Sequence, residues 1–119
     1  MRIYFSHPMT TYGTQLERVA LKAIQERFPE ALIDNPANYP SKAMDCYLER
    51  VRAADVVVFT TTVRRSIGKG VLQELQEARL QEKEVWFYDP VKQAFFQNFT
   101  IEELSETSWK RYAKIQTEE

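Results

Sequence analysis

The chain has one cysteine, one histidine and three glycines in 119 residues. A single cysteine excludes an intramolecular disulfide, and one cysteine with one histidine cannot close a zinc site from those two ligand types. Cys46 therefore reads as a partly buried thiol on a helix, and no metal site is expected. No apolar run is long enough to span a bilayer, and Met1-Arg2-Ile3-Tyr4-Phe5 lacks the apolar core and small-residue cleavage site of a signal peptide. The expectation is a cytoplasmic protein with no membrane partner. An excess of one charge is missing too: 16 basic residues stand against 17 acidic ones, a formal net charge of −1. No long-range field then draws the chain to a nucleic-acid polymer, and an anionic ligand has to be held by local groups.

What is present is the balance of a globular protein, 44% apolar and 28% charged, which suits one domain over residues 1–119. Arg2 to Ser6 is strand-like and ends at His7-Pro8, where proline removes a ladder donor. Thr14-Gln15-Leu16-Glu17 has the spacing of a capping box and opens a helix. Leu16, Val19, Ala20, Ala23 and Ile24 make its apolar face, and Glu17, Arg18, Lys22, Gln25 and Glu26 face water. Ala31 to Ile33 forms a short strand closed by Asp34-Asn35-Pro36. Ser41 caps a second helix striped by Met44, Tyr47, Leu48, Val51 and Ala54. Val56 to Phe59 is a continuous apolar run without alternation, as suits a central parallel strand covered on both faces.

A third helix follows, with Val71, Leu72, Leu75 and Ala78 as its apolar residues, and Glu84 to Tyr88 makes a fourth strand. Thr100 with Glu103 has capping-box spacing, and Phe99 with Leu104 that of a hydrophobic staple. These predict a last helix over about 100–112 and a frayed tail over 113–119. Strands alternating with helices imply parallel pairing and right-handed crossovers. The fold class is therefore three-layer α/β/α, with a mostly parallel sheet of four to five strands. Ligands in such sheets sit beyond the carboxyl ends of the strands, which gathers His7, Asp34, Asn35, Thr60 to Thr62 and the Gly68 turn along one edge.

Ser66-Ile67-Gly68-Lys69-Gly70 carries the densest chemistry. Its glycines admit a ligand close to the backbone, Lys69 offers a point charge, and Glu74 follows four residues after Gly70, in or near the first helical turn. The helix dipole there favours an ionised carboxylate, usable as a nucleophile, although acids at that place also serve only to stabilise the helix. The stretch lacks the spacer and Ser/Thr of a Walker loop and the third glycine of a dinucleotide fingerprint. Arg64 and Arg65 beside Ser66 could contact phosphate, but an exposed basic pair in a loop is more often only solvated. His7 is either a ligand contact or a loop histidine satisfied by backbone, and Gly13-Thr14 is a second possible anion site. Tyr12, Tyr39 and Tyr47 supply aromatic surface for a base or sugar, or serve as core and rim.

Ile3 to Pro8, Ala54-Asp55 with Val56 to Phe59, and Gly68-Lys69-Gly70 through Glu74, Leu75 and Ala78 together resemble the nucleoside 2-deoxyribosyltransferase-like superfamily. That group includes deoxynucleoside monophosphate N-glycosidases. The likeness runs over residues 2–89 in element order. It implies a flavodoxin-like or Rossmann-like fold, often homo-oligomeric as a dimer or larger assembly, acting on a small nucleoside or nucleotide. It also implies that no cofactor is needed and that a glutamate at the place of Glu74 attacks the anomeric carbon. The base then leaves, and water or a second base resolves the glycosyl ester. Where the family commonly has an aspartate, eight residues before Asp55, this chain has Tyr47, with Asp45 nearby; a further family aspartate corresponds to Gly68. Asp45, Tyr47 and His7 remain as candidates to protonate the leaving base, while Asn35, Gly13, Thr14 and Ser66 join the binding set. The alternative is a non-catalytic nucleotide-binding module of the same fold, or a scaffold that only assembles with further copies.

Overall fold

A computed structural model describes residues 1–106 and 111–117. The strands are β1 (Arg2–Ser6), β2 (Leu32–Asp34), β3 (Val56–Phe59), β4 (Ser66–Ile67), β5 (Glu84–Asp89), β6 (Ala94–Phe96), β7 (Phe99–Glu106) and β8 (Arg111–Thr117). The helices are α1 (Gln15–Arg27), α2 (Met44–Ala53) and α3 (Lys69–Leu80). Among the described residues, one sheet has five strands in the order β2-β1-β3-β5-β6 and a second has three in the order β4-β8-β7. In the first sheet β1 pairs in parallel with both β2 and β3, and β3 with β5; β6 closes the edge antiparallel to β5. The apolar run Val56 to Phe59 is fully buried at the centre, as its lack of alternation requires.

Side chains alternate across the sheet and divide the core in two. Ile3, Phe5, Val56 and Val58 pack on one face with Ala20 and Ile24 of α1. Tyr4, Val57, Phe59 and Phe87 pack on the other with Val51 of α2 and Val71, Leu72, Leu75 and Ala78 of α3. This is the three-layer α/β/α arrangement, and the helices that follow β1 and β3 lie on opposite faces of the sheet, α1 on one and α3 on the other, making β1 and β3 the point where strand order reverses. Glu77 and Arg52 stitch α3 to α2 at 2.7 Å. At the amino ends of the strands Asp55 accepts the backbone N–H of Arg2 at 2.7 Å. The acid before the central strand thus ties β1 to β3 at the sheet edge opposite the carboxyl ends.

Three local expectations are corrected. Ala43, not Ser41, occupies the cap position of α2, and no side chain bonds there. Glu17 is buried rather than solvated, for a reason that lies in the site. The helix over 100–112 and the frayed tail are replaced by the antiparallel pair β7–β8, which reaches Thr117; residues 107–110 and 118–119 lie outside the described residues. The Thr100-to-Glu103 spacing fits a helix cap, but period-2 burial decides the outcome. Ala113 and Ile115 are buried between the exposed Tyr112, Lys114 and Gln116, and they join Phe99 and Ile101 against the α3 side of the core. Leu104 faces water, so it makes no staple, and Phe99 instead packs edge-on to Phe59 at 5.0 Å.

Because the β7–β8 pair supplies core volume, Ile115→Ala should cost about 2–4 kcal/mol in chemical denaturation, whereas Leu104→Ala should stay within about 0.5 kcal/mol. Equal costs at the two positions would contradict the hairpin and favour a helical staple.

Candidate active site

A cavity of about 510 Å³ opens beyond the carboxyl ends of β1 and β3, between the loop after β1, the segment before α2 and the start of α3. One wall of it holds an acid. Glu74 is 6% exposed and lines the cavity, and it receives two hydrogen bonds from β1: Tyr4 Oη donates to Oε2 at 2.5 Å and Ser6 Oγ to Oε1 at 2.6 Å. Tyr4 and Ser6 are alternate residues of one strand, so both hydroxyls point to the α3 face. Burial pushes the Glu74 carboxyl up to about 7, against the pull of the two donors toward the charged form. The expectation of a carboxylate ionised by the helix dipole is therefore corrected: Glu74 lies one turn further in, past the unpaired N–H groups, and desolvation outweighs the dipole. Tyr4 stays protonated, raised first by burial and then by the charge of Glu74.

Of the other residues singled out in the sequence, Tyr47, His7, Ser66, Gly68, Lys69 and Gly70 line the same cavity. A methyl group added at Gly68 or Gly70 would meet nothing within 4 Å, so nothing inside the protein requires glycine there. Gly68 begins α3 with no side chain capping it, leaving the first backbone N–H groups for solvent or a ligand, and Lys69 is exposed beside them. Tyr47 is committed elsewhere: its hydroxyl donates to Tyr39 O at 2.9 Å and accepts from Lys42 N at 3.1 Å, and its ring stacks on Tyr39. It shapes the 39–42 wall, and that bond occupies its proton.

His7 is committed as well. A carbonyl only accepts, so the 3.0 Å contact of Nδ1 with Phe5 O fixes a proton on Nδ1. The 2.7 Å contact of Nε2 with Glu17 Oε2 then holds a second proton between the two groups. This explains the burial of Glu17, whose other oxygen accepts the Gly13 N–H at 3.2 Å. Burial lowers the His7 imidazole below its usual value, opposed by the Glu17 hydrogen bond. Its ring stacks on Phe5 at 4.0 Å and meets Tyr12 at 4.8 Å. His7 thus braces the loop rather than offering a free nitrogen.

Asp45, Gly13, Thr14 and Asn35 are not brought to the cavity wall. Asp45 is exposed on the first turn of α2. Thr14 caps α1 and donates to Thr11 O at 2.5 Å, Gly13 gives its N–H to Glu17 while holding φ at +73°, and Asn35 caps its own turn through Ala37 N at 3.1 Å. Glu74 is accordingly the one carboxylate lining the cavity among the described residues, and no group of three His, Cys, Asp or Glu there could hold a metal ion. Sequence reasoning missed Tyr4 and Ser6; their signal was two hydroxyls at period 2 on the first strand. It also missed Asp89, fully buried, which takes Arg65 Nε at 3.0 Å and anchors the loop before β4.

No family model and no curated protein matches the sequence. Among solved structures the chain is similar to a 2-desoxiribosyltransferase from Leishmania mexicana, with a TM-score of 0.55 and 12% identity over 74% of this chain. The chain spans 63% of the length of that protein. At that identity the likeness is one of fold.

The raised Glu74 carboxyl makes stability depend on pH in a definite sense. The folded protein holds this proton more tightly than the unfolded chain, so the contribution is complete below about pH 4.5 and is lost as pH rises through about 7. It amounts to about 3 kcal/mol. His7 works in the opposite direction but is shared by a Glu74→Gln variant. The stability of wild type relative to Glu74→Gln, from urea melts, should therefore fall by about 3 kcal/mol between pH 4.5 and 8. A difference that stays flat over that range would refute the burial of a titrating acid.

Proposed function

We propose that the chain, acting as one domain, cleaves the N-glycosidic bond of a small nucleoside or nucleotide with Glu74 as nucleophile. The observation that carries this reading is the buried Glu74 carboxylate, aimed by two hydroxyl donors into a cavity at the strand-order switch. A carboxylate so placed has few waters to compete with and is fixed in orientation, which is what attack on an oxocarbenium-like anomeric carbon requires. The bond to the sugar forms as the base departs, and water or a second base then releases the ester. The fold likeness to a deoxyribosyltransferase supports the same class of substrate. Lys42 and Lys69, with the uncapped start of α3, offer the rim of the cavity to a phosphate or carboxylate.

A second reading has a specific observation in its favour. Asp45 is turned away from the cavity and the Tyr47 proton is engaged, so neither stands ready to protonate a leaving base. That supports a nucleotide-binding module without turnover.

On the enzymatic reading Glu74→Gln should reduce base release from 2′-deoxynucleosides or their 5′-monophosphates by on the order of 10³-fold or more, with circular dichroism unchanged. A Glu74-linked glycosyl ester, trapped by acid quench, should appear by mass spectrometry. Wild-type protein that binds nucleotides by calorimetry, keeps that binding in Glu74→Ala and releases no base would instead establish the module.

A further inference from the structure

The loop after β1 presents an aromatic side chain whose polar end has no partner in the described residues. Tyr12 is half-buried and lines the cavity, and among the described residues its hydroxyl has no hydrogen-bond partner. Everything else about it is fixed. Its N–H bonds Met9 O at 3.1 Å, closing a short 3-10 turn, and Gly13 follows in the left-handed region at φ +73°. Its ring rests at 4.8 Å on that of His7, which Phe5 and Glu17 hold at both nitrogens. The His7–Glu17 pair is thus the support against which Tyr12 rests.

We propose that the Tyr12 hydroxyl holds the departing base, donating a hydrogen bond to the heteroatom on which negative charge builds as the bond to the anomeric carbon breaks. This rests on Glu74 as nucleophile. The hydroxyls nearest Glu74 and that of Tyr47 are spent: Tyr4 and Ser6 donate to Glu74, and Tyr47 donates to Tyr39 O. Thr10, Thr62 and Ser66 also line the cavity, but an alcohol is a far weaker acid than a phenol and so a weaker donor to developing charge, and the phenol of Tyr112, on the same wall, is exposed where that of Tyr12 is half-buried. Lys42 and Lys69 are exposed at the rim, where water competes for their protons. Burial and the charge of Glu74 raise the Tyr12 phenol, so it keeps its proton and acts as a donor across the working pH range. A Glu74 oxygen bonds the anomeric carbon while the C–N electron pair passes to the base nitrogen, steadied by Tyr12. Water then opens the ester, its hydroxyl ending on the sugar and its proton on the base, and the Glu74 carboxylate and Tyr12 phenol return unchanged.

The test compares wild type and Tyr12→Phe on two substrates, 2′-deoxyadenosine, whose base leaves as an anion, and 7-methyl-2′-deoxyguanosine, whose base leaves neutral. Tyr12→Phe should lower kcat on the first by about 10- to 100-fold, the loss of one hydrogen bond to a charged group. On the second it should change kcat less than about threefold, with KM little altered on either. Equal losses on both substrates would make Tyr12 a wall of the pocket, and no loss on either would remove it from the reaction; both overturn the proposal while Glu74→Gln remains inactive. Base release that survives Glu74→Gln, or wild-type protein that releases neither base, overturns the underlying reading and this proposal with it.

Discussion

The site depends on the contact between the carboxylate of α3 and two hydroxyls of β1. Glu74 is carried into the core by a helix whose neighbouring positions, Val71, Leu72, Leu75 and Ala78, are needed for packing. The Tyr4 and Ser6 hydroxyls replace only part of its lost hydration, and the carboxyl rises to about 7 as a result. Near neutral pH the group is therefore divided between acid and carboxylate.

The walls around this contact are built from pairs that use up their own polar groups. His7 and Glu17 brace the loop after β1, Tyr39 and Tyr47 fix the segment before α2, and Arg65 with Asp89 holds the loop before β4. Tyr39 is itself anchored by donating to Asp34, with Arg50 over its ring at 4.1 Å. Because these side chains satisfy one another, what the cavity offers a ligand is a short set of groups: the Tyr12 hydroxyl, the start of α3 and the two rim lysines. A rigid frame with a few unspent groups is the arrangement that orients a ligand without reorganising.

Much of the frame was legible because it follows from periodicity. Val56 to Phe59 announces a central strand by failing to alternate, the stripes of α1, α2 and α3 follow helical spacing, and the glycine turn points to Glu74. Illegible parts came from contacts between segments distant in sequence. Glu17 reads as a solvated capping acid until His7 is folded against it, and Asp55 reads only as the acidic entry to the central strand until Arg2 is seen to use it. The Thr100-to-Glu103 cap signal was a local pattern overruled by burial of Ile101, Ala113 and Ile115 on the α3 side of the core. Tyr4 and Ser6 were hidden by their setting, since a hydroxyl at a strand position is normally read for its β propensity.

Two glutamates on α3 separate function from architecture. Glu77, one turn beyond Glu74, meets Arg52 of α2 at 2.7 Å, and that hydrogen bond holds its carboxyl below the usual range; it behaves as a structural ion pair between two helices. Among the described residues Glu74 forms no ion pair, only hydrogen bonds from hydroxyls that can orient but not neutralise it. A fold selected for stability alone would place an apolar side chain there, as it does at Leu72 and Leu75, or supply an arginine, as it does for Glu77. The chain retains instead a carboxylate that desolvation disfavours, at the wall of a cavity. That cost, absent three residues further along the same helix, is what the proposed role of Glu74 toward a ligand in the cavity accounts for, and what a purely structural role for it does not.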